Sequence, residues 1–86
     1  MLFRSVKLFP NPNNGSFQFT YEGEIEGEGT LQVINAMGQI IYQSQATAED
    51  GKINKEISLG DQYQKGIYIV RLIINGGQND SRMVVQ

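Results

Sequence analysis

Carboxylates are the side chains that could do chemistry in this sequence, because the chain contains no histidine and no cysteine. Histidine is the usual general acid or base near neutral pH and a common zinc ligand, so Ser-His-Asp triads and Cys/His metal sites are excluded. Two suitably spaced carboxylates can hydrolyse a glycosidic bond. The nine candidates are Glu22, Glu24, Glu26, Glu28, Glu49, Asp50, Glu56, Asp61 and Asp80. Their spacing pairs no two of them convincingly across a cleft, and we therefore predict that the domain is not an enzyme.

Four of these acids form the densest charge cluster, at every second position from Glu22 to Glu28. In an extended segment all four side chains point to the same side. A calcium loop is one interpretation, since Ca²⁺ binds several carboxylate oxygens. The other is a solvated loop or edge strand whose charges deter pairing with another edge. The run lacks the Asn and Asp content of calcium loops, so we favour the second interpretation and predict no metal and no cofactor.

Length and charge restrict the partners. Eighty-six residues can bury one small core, and we predict a single domain over residues 1–86. The net charge is −2 and the seven basic residues are scattered, which disfavours nucleic acid and anionic membranes, because both require clustered cations. No apolar run approaches the ~20 residues of a membrane-spanning helix. Met1–Ser5 lack the features of a secretory signal and are interpreted as a linker or as residues added for expression.

Alternating polarity predicts the elements that must position these residues. Apolar residues recur with period two, and no segment sustains a helical period. Gly, Asn and Asp clusters separate the alternating runs. Seven strands are predicted, at Ser5–Phe9, Ser16–Glu22, Gly29–Ile34, Gln39–Gln45, Lys52–Leu59, Gly66–Asn75 and Ser81–Gln86. This regular punctuation favours an all-β sandwich.

Two of the strands supply the predicted core. In the second strand the three aromatics share one face, and their burial would anchor the core. The sixth strand is apolar on both faces and is therefore placed centrally, with Arg71 marking an exit to solvent. The second strand contributes Phe17, Phe19 and Tyr21; the sixth carries Ile67, Ile69 and Ile73 on one face and Tyr68, Val70 and Leu72 on the other.

Three turns connect these strands in a recognisable way. In Pro10–Gly15 the prolines restrict φ and the residues that follow tolerate positive φ, so the chain turns a rigid corner. Asn75-Gly76 is typical of a type I′ hairpin and should pair the sixth strand with the seventh. Asn35–Gly38 is interpreted as a type I turn with a glycine bulge. Tyr68, at the start of the sixth strand, is interpreted as a corner tyrosine whose hydroxyl binds nearby backbone.

Four segments, in the same order and at matching spacing, resemble motifs of one family. They are Val6–Gly15, Leu31–Tyr42, Gly66–Leu72 and Ser81–Gln86. The corresponding motifs are a Tyr/Phe-Pro-Asn-Pro-x-x-Gly opening, a Tyr/Phe-Asn-x-x-Gly-Gln hairpin, a Gly-x-Tyr-x-Val strand and a short basic-apolar strand at the extreme C-terminus. The chain thus resembles the C-terminal sorting domain of type IX (Por) secretion in the Bacteroidetes.

The resemblance implies a fold and a route. The fold would be a seven-stranded antiparallel immunoglobulin-like β-sandwich of Greek-key type. The domain would direct a covalently attached upstream cargo from the periplasm through the outer-membrane translocon, to the cell surface or the medium. A sortase-like cysteine protease would then remove it and can attach the cargo to surface lipopolysaccharide. These are the implied partners, and neither nucleic acid nor a small-molecule substrate is among them.

The same resemblance assigns residues to two groups. Motif residues with a structural role are Pro10, Asn11, Pro12, Gly15, Asn35, Gly38, Gly66, Tyr68 and Val70. Residues of the terminal motif, expected to contact the translocon, are Arg82, Val84, Val85 and Gln86. A terminal edge strand can offer unpaired backbone groups for strand addition to a receptor. Exposed edges could also pair two copies into a homodimer.

A fibronectin-like or carbohydrate-binding module of a secreted enzyme is the alternative function, and a structural spacer is the third. Sugar-binding sandwiches usually carry an exposed aromatic platform. This chain has no Trp and four Tyr, most of them at positions of core parity. Trimming the terminal strand distinguishes a binding module from a sorting signal, because a binding module would keep its ligand affinity whereas a sorting signal would lose export.

Overall fold

The computed structural model describes residues 5–23, 27–60 and 64–86. The strands within these ranges are β1 (Ser5–Phe9), β2 (Ser16–Glu22), β3 (Gly27–Ile34), β4 (Ile40–Ala48), β5 (Lys52–Ser58), β6 (Gly66–Ile74) and β7 (Gly77–Val85). No helix that could span a membrane occurs in the described ranges. The all-β prediction with seven strands is confirmed. Most of the predicted linker (residues 1–4), the middle of the acidic run (24–26) and residues 61–63 lie outside the described residues.

The strands form two sheets, in the orders β1-β2-β5 and β4-β3-β6-β7. Every pairing between two of these strands is antiparallel. This is the predicted immunoglobulin-like sandwich, while the Greek-key description stays a prediction. The sixth strand is central in its sheet, as expected, and β7 lies at the edge of the same sheet.

The inner faces of the two sheets enclose one core. The predicted aromatics of β2 all point into it, with exposures of 1–3%. They meet fully buried side chains from the opposite sheet. The burial of each such side chain stabilises the fold by about 1.5–3 kcal/mol relative to leaving it exposed. The most deeply buried large side chains are Phe19, Leu31, Val33, Ile57, Val70, Leu72 and Met83. The alternation in β2 therefore predicted the correct inward face, whereas β6 was predicted only to be central.

The terminal strand begins earlier than predicted. Asn75 and Gly76 both have positive φ (52° and 74°), as a two-residue type I′ turn requires. Ile74 then pairs directly with Gly77, so β7 starts there and not at Ser81. The prediction missed these four residues because Gly, Gln, Asn and Asp have low strand propensity, whereas a tight hairpin continues its ladder at once.

The third and fourth strands are also longer than predicted. The pairing continues to Gly27 and Ala48 at the end far from the hairpin. The inward alanines of β4 are buried there, although alanine gives little strand signal. At the hairpin end the register shifts between Val33 and Ile34, so that Ile34 lies opposite Ile40. The shift skips Ile41 and so places Ile40, rather than Ile41, opposite Ile34.

Candidate functional site

The segment Pro10–Gly15, called the opening loop from here on, lies along the outer edge of β7. The Asn11 carboxamide binds two backbone groups of that strand. Its Nδ2 donates to the carbonyl oxygen of Arg82 at 3.0 Å, and its Oδ1 accepts from the amide of Val84 at 3.0 Å. One side chain thus supplies the donor and the acceptor that a neighbouring strand would supply.

The backbone of Asn13 continues the same ladder toward the end of the chain. Its amide donates to the carbonyl of Val84 at 3.0 Å, and its carbonyl accepts from the amide of Gln86 at 2.8 Å. Asn13 and Val85 form an isolated parallel bridge. The opening loop therefore covers the edge of β7 from Arg82 to Gln86 with four hydrogen bonds.

Internal hydrogen bonds fix the shape of the opening loop. The side chain of Asn13 is buried at 7% exposure; its Nδ2 donates to the Pro10 carbonyl at 3.0 Å and its Oδ1 accepts from the Gly15 amide at 2.8 Å. Gly15 has φ +106°, and a Cβ there would lie 2.9 Å from the carbonyl oxygen of Gly60. Only glycine meets both conditions without strain, because L side chains rarely adopt that φ. These hydrogen bonds and the glycine requirement fix the conformation of the opening loop on the sandwich.

The covered edge changes one expectation. Unpaired backbone groups were expected along the terminal motif, but the carbonyls of Arg82 and Val84 and the amides of Val84 and Gln86 all have partners in the opening loop. Strand addition by a receptor at these positions would have to displace the loop. The terminal motif is left with its side chains as the groups it can present.

Those side chains divide between the two faces of the sheet. Met83 and Val85 point into the core, with exposures of 0% and 5%. Arg82 and Gln86 are exposed, and Val84 is half-buried. Three of the four residues expected to contact the translocon are thus accessible, whereas Val85 contributes to packing.

An apolar group lies on the outer face of the same sheet. Because Val33 and Val70 pair and point inward, the next pair, Ile34 and Ile69, points outward. Ile34 is only 8% exposed yet is not part of the core cluster; it is flanked by Ile40 and Ile69. Ile67, two residues before Ile69, shares the outward face, and Ile40 and Ile67 are 52% and 45% exposed. We call Ile34, Ile40, Ile67 and Ile69 the outer isoleucine patch.

The hairpin between β3 and β4 is organised by Asn35. Its Oδ1 accepts from the amides of Met37 (3.0 Å) and Gln39 (2.9 Å), and its carbonyl accepts from the Gly38 amide at 3.0 Å. Gly38 has φ +84°, in agreement with the predicted turn that ends in glycine. Met37, at the tip, is 82% exposed. Asn35 and Gly38 therefore act structurally.

The late strand motif is structural as well. The hydroxyl of Tyr68 donates to the carbonyl oxygen of Gln64 at 2.6 Å, and the ring is buried at 6% exposure. The prediction of a corner tyrosine is confirmed. Val70 is fully buried in the core, and Gly66 begins β6 opposite Val85.

One ion pair lies on the outer face beyond the patch. Arg71 donates from Nε and Nη2 to the two carboxylate oxygens of Asp80, at 2.9 and 3.1 Å. These hydrogen bonds lower the pKa of Asp80 and raise that of Arg71. Arg82 and Lys65 are cations without an ion-pair partner within the described part of the chain.

The alternative chemistries find little support in the described residues. No three acidic side chains there are arranged to hold a metal ion. The tyrosines of these ranges are buried (Tyr21, Tyr68) or half-buried (Tyr42), so none forms an exposed platform. Tyr63 lies outside the described residues.

With this geometry established, comparison with protein families gives a clear result. A model described as "Secretion system C-terminal sorting domain" matches residues 7–86. The chain belongs to that family. The sorting domain is the C-terminal signal of type IX secretion. Membership of this family implies that the chain is part of a cargo-bearing parent protein that is exported to the cell surface or the medium. A sorting domain of this kind is not itself catalytic. Comparison with curated proteins returns no match.

Solved structures share the fold of the sorting domain. α2-Macroglobulin of E. coli in its native conformation has a TM-score of 0.77 at 15% identity, over 96% of this chain and 6% of that one. Salmonella α2-macroglobulin reacted with methylamine has a TM-score of 0.75 at 14% identity, over 96% and 6%. Dimeric latent PorU of Porphyromonas gingivalis has a TM-score of 0.70 at 21% identity, over 99% and 9%. The sorting domain thus spans a small part of each chain, and these likenesses show the fold.

Sequence reasoning found the motif residues of the sorting domain but missed how two of the motifs meet. Pro10, Asn11, Pro12 and Gly15 were assigned a structural role, without the contact between Asn11 and the last strand. The outer isoleucine patch was missed because β6 is apolar at both parities. The pairing of Asn35 with Gly38 placed the hairpin correctly, yet periodicity gave no signal for the register shift that brings Ile40 opposite Ile34.

Proposed function

We propose that this sorting domain is read as a folded unit and directs an upstream cargo from the periplasm through the type IX translocon of the outer membrane. The observation that supports this most is the ladder between the opening loop and β7. It joins the first and last family motifs, 71 positions apart at Asn11 and Arg82, into one element. A signal made of these two motifs exists only when the chain is folded.

Direct contact with the translocon is proposed for the accessible terminal residues, Arg82, Val84 and Gln86. Val85 is buried in the folded domain, so its contribution would come through the packing of β7 against the core. Deleting Ser81–Gln86 removes two core side chains, Met83 and Val85, and would test folding together with recognition.

Removal of the domain after export, by a sortase-like cysteine protease, is proposed on the family relationship. On this view residues 1–86 are the single sorting domain and Met1–Ser5 belong to its linker. Pairing of two copies through sheet edges stays a prediction, and sedimentation of the purified domain would test it.

The experiment that tests the route uses a periplasmic reporter protein fused ahead of residues 1–86. The fusion is expressed in a type IX-competent host and in the same host without the outer-membrane translocon. We expect reporter at the cell surface or in the medium in the first host alone, with mass spectrometry showing whether the 9.6 kDa domain has been removed. Reporter retained in the periplasm of both hosts, with the domain folded, would contradict the proposal.

A further inference from the structure

We infer that the outer isoleucine patch, extended by Val84 and Arg82, is the surface with which the sorting domain docks on its export receptor. The occupant is a protein surface with an apolar centre and an acidic border. This inference rests on the proposed function and specifies which face of the domain is recognised.

The backbone edge of the terminal strand offers little to a receptor. The four edge groups from the Arg82 carbonyl to the Gln86 amide already bind the opening loop. Of the side chains, Met83 and Val85 are in the core. Recognition of this motif in the folded domain must therefore use outward side chains; within β7 these are Arg82 and Val84, and exposed Gln86 follows the strand.

Both residues continue directly into the outer isoleucine patch. Val84 lies opposite Ile67, and Arg82 lies opposite Ile69 on the adjacent strand. Ile69 lies opposite Ile34, and Ile34 opposite Ile40. One row of outward side chains thus crosses all four strands, from Arg82 on β7 to Ile40 on β4.

The patch is unusual for its position. The outer face of an antiparallel sheet is normally polar, and farther along this face it mostly is, with Gln32 opposite Arg71 and Thr30 opposite Gln45; Ile73 is a single isoleucine beside Thr30 there. The isoleucines gather at the end that also carries the terminal motif. Ile40 and Ile67 are the exposed members, with buried Ile34 and half-buried Ile69 between them, and apolar groups of this kind are typical of interaction sites.

Charge indicates the chemistry of the partner. Arg82 borders the patch on β7, and Lys65 directly precedes β6 beside it; neither has an ion-pair partner in the described part of the chain. Asp80, two residues before Arg82 on the same strand, accepts hydrogen bonds from Arg71. Acidic side chains at the border of the receptor surface would pair with Arg82 and Lys65, while its apolar centre would contact the isoleucines. Protein interfaces are commonly complementary in charge in this way.

The test compares two isoleucines of one strand in the reporter fusion. Ile67 and Ile73 are both on β6, both on the outer face, and 45% and 37% exposed, but only Ile67 belongs to the patch. We expect Ile67→Glu to lower the surface reporter by at least about tenfold, as loss of a central interface residue does. We expect Ile73→Glu to stay within about twofold of the unmodified domain. Arg82→Glu should behave like Ile67→Glu.

Folding is checked by thermal unfolding of each purified domain, and Ile67→Gln replaces the glutamate variant if that one unfolds. Normal export of the folded Ile67 and Arg82 variants would overturn the inference and leave the sorting function intact. Equal loss with Ile73→Glu would overturn it too, since the effect would not belong to the patch. Self-association of the purified domain, abolished by Ile67→Glu without any effect on export, would make a second copy the occupant and contradict a receptor. If the unmodified domain is not exported, the proposed function itself fails.

Discussion

Replacing Asn11 by alanine removes both hydrogen bonds between its side chain and β7, to the Arg82 carbonyl and the Val84 amide. Each such bond contributes a net ~0.5–1.5 kcal/mol, so we expect the free energy of unfolding to fall by about 1–3 kcal/mol. In a domain of this size each kcal/mol lowers Tm by roughly 4–8 °C. Asn11→Asp should cost a similar amount, because it keeps an acceptor for Val84 but places an oxygen against the Arg82 carbonyl.

Asn14 provides the matched control for the aspartate variant. It lies in the same loop and is exposed, and its Oδ1 accepts from the amide of Ser16 at 3.3 Å. Aspartate can accept the same bond, so Asn14→Asp makes an identical change of charge without losing a partner. We expect its stability to stay within about 0.5 kcal/mol of the unmodified domain, as for most surface substitutions.

Chemical denaturation measures these differences, and amide hydrogen exchange locates them. In Asn11→Ala the amide of Val84 loses its acceptor, and we expect its exchange to accelerate by about tenfold, equivalent to ~1.4 kcal/mol. The amide of Met83, which faces β6, should follow only the change in global stability. Stability within about 0.3 kcal/mol of the unmodified domain, together with unchanged protection at Val84, would refute a terminal strand held by Asn11.

Four further variants test other parts of the fold. Tyr68→Phe removes the bond to the Gln64 carbonyl and should cost about 1 kcal/mol in denaturant unfolding; no loss would contradict a corner role. Gly51→Ala would place a Cβ 2.0 Å from a backbone oxygen and should cost more than about 2 kcal/mol, whereas Gly76→Ala, at a similar φ with open space, should cost only the strain of about 1 kcal/mol; equal losses would contradict the clash. The folded-state pKa of Asp80 is lowered, so its contribution is present above the ordinary Asp pKa and lost as pH falls through the folded value; Asp80→Asn should flatten that part of a stability–pH curve, and an unaltered curve would contradict the pair.

Much of this fold could be predicted from local sequence patterns, because strand polarity and turn conformation depend on residues that are neighbours in the sequence. The bounds of β1 and β2 agree with the prediction, since alternating polarity places one face of each strand in the core. The Asn75-Gly76 turn paired β6 with β7 because both residues adopt positive φ. The corner role of Tyr68 followed from its position at the start of a strand.

The contact that defines the candidate site was beyond such reasoning. Asn11 and the strand it covers are 71 and 73 positions apart, and no periodicity reports which sheet edge a loop will follow. Nor could polarity assign an outer face to β6, because both of its faces are apolar. The position of Ile40 opposite Ile34 depends on a register shift, which is a property of strand pairing rather than of residue type.

The most direct measurement of sorting activity is the surface fraction of one reporter carried by two different small sandwiches in a type IX-competent host. One fusion ends in residues 1–86, and the other ends in an unrelated β-sandwich of equal size and stability. We predict surface reporter with the first fusion and periplasmic reporter with the second, because recognition belongs to the terminal strand and its surroundings rather than to the presence of a folded module. Equal export of both fusions would contradict this and would make the domain a spacer.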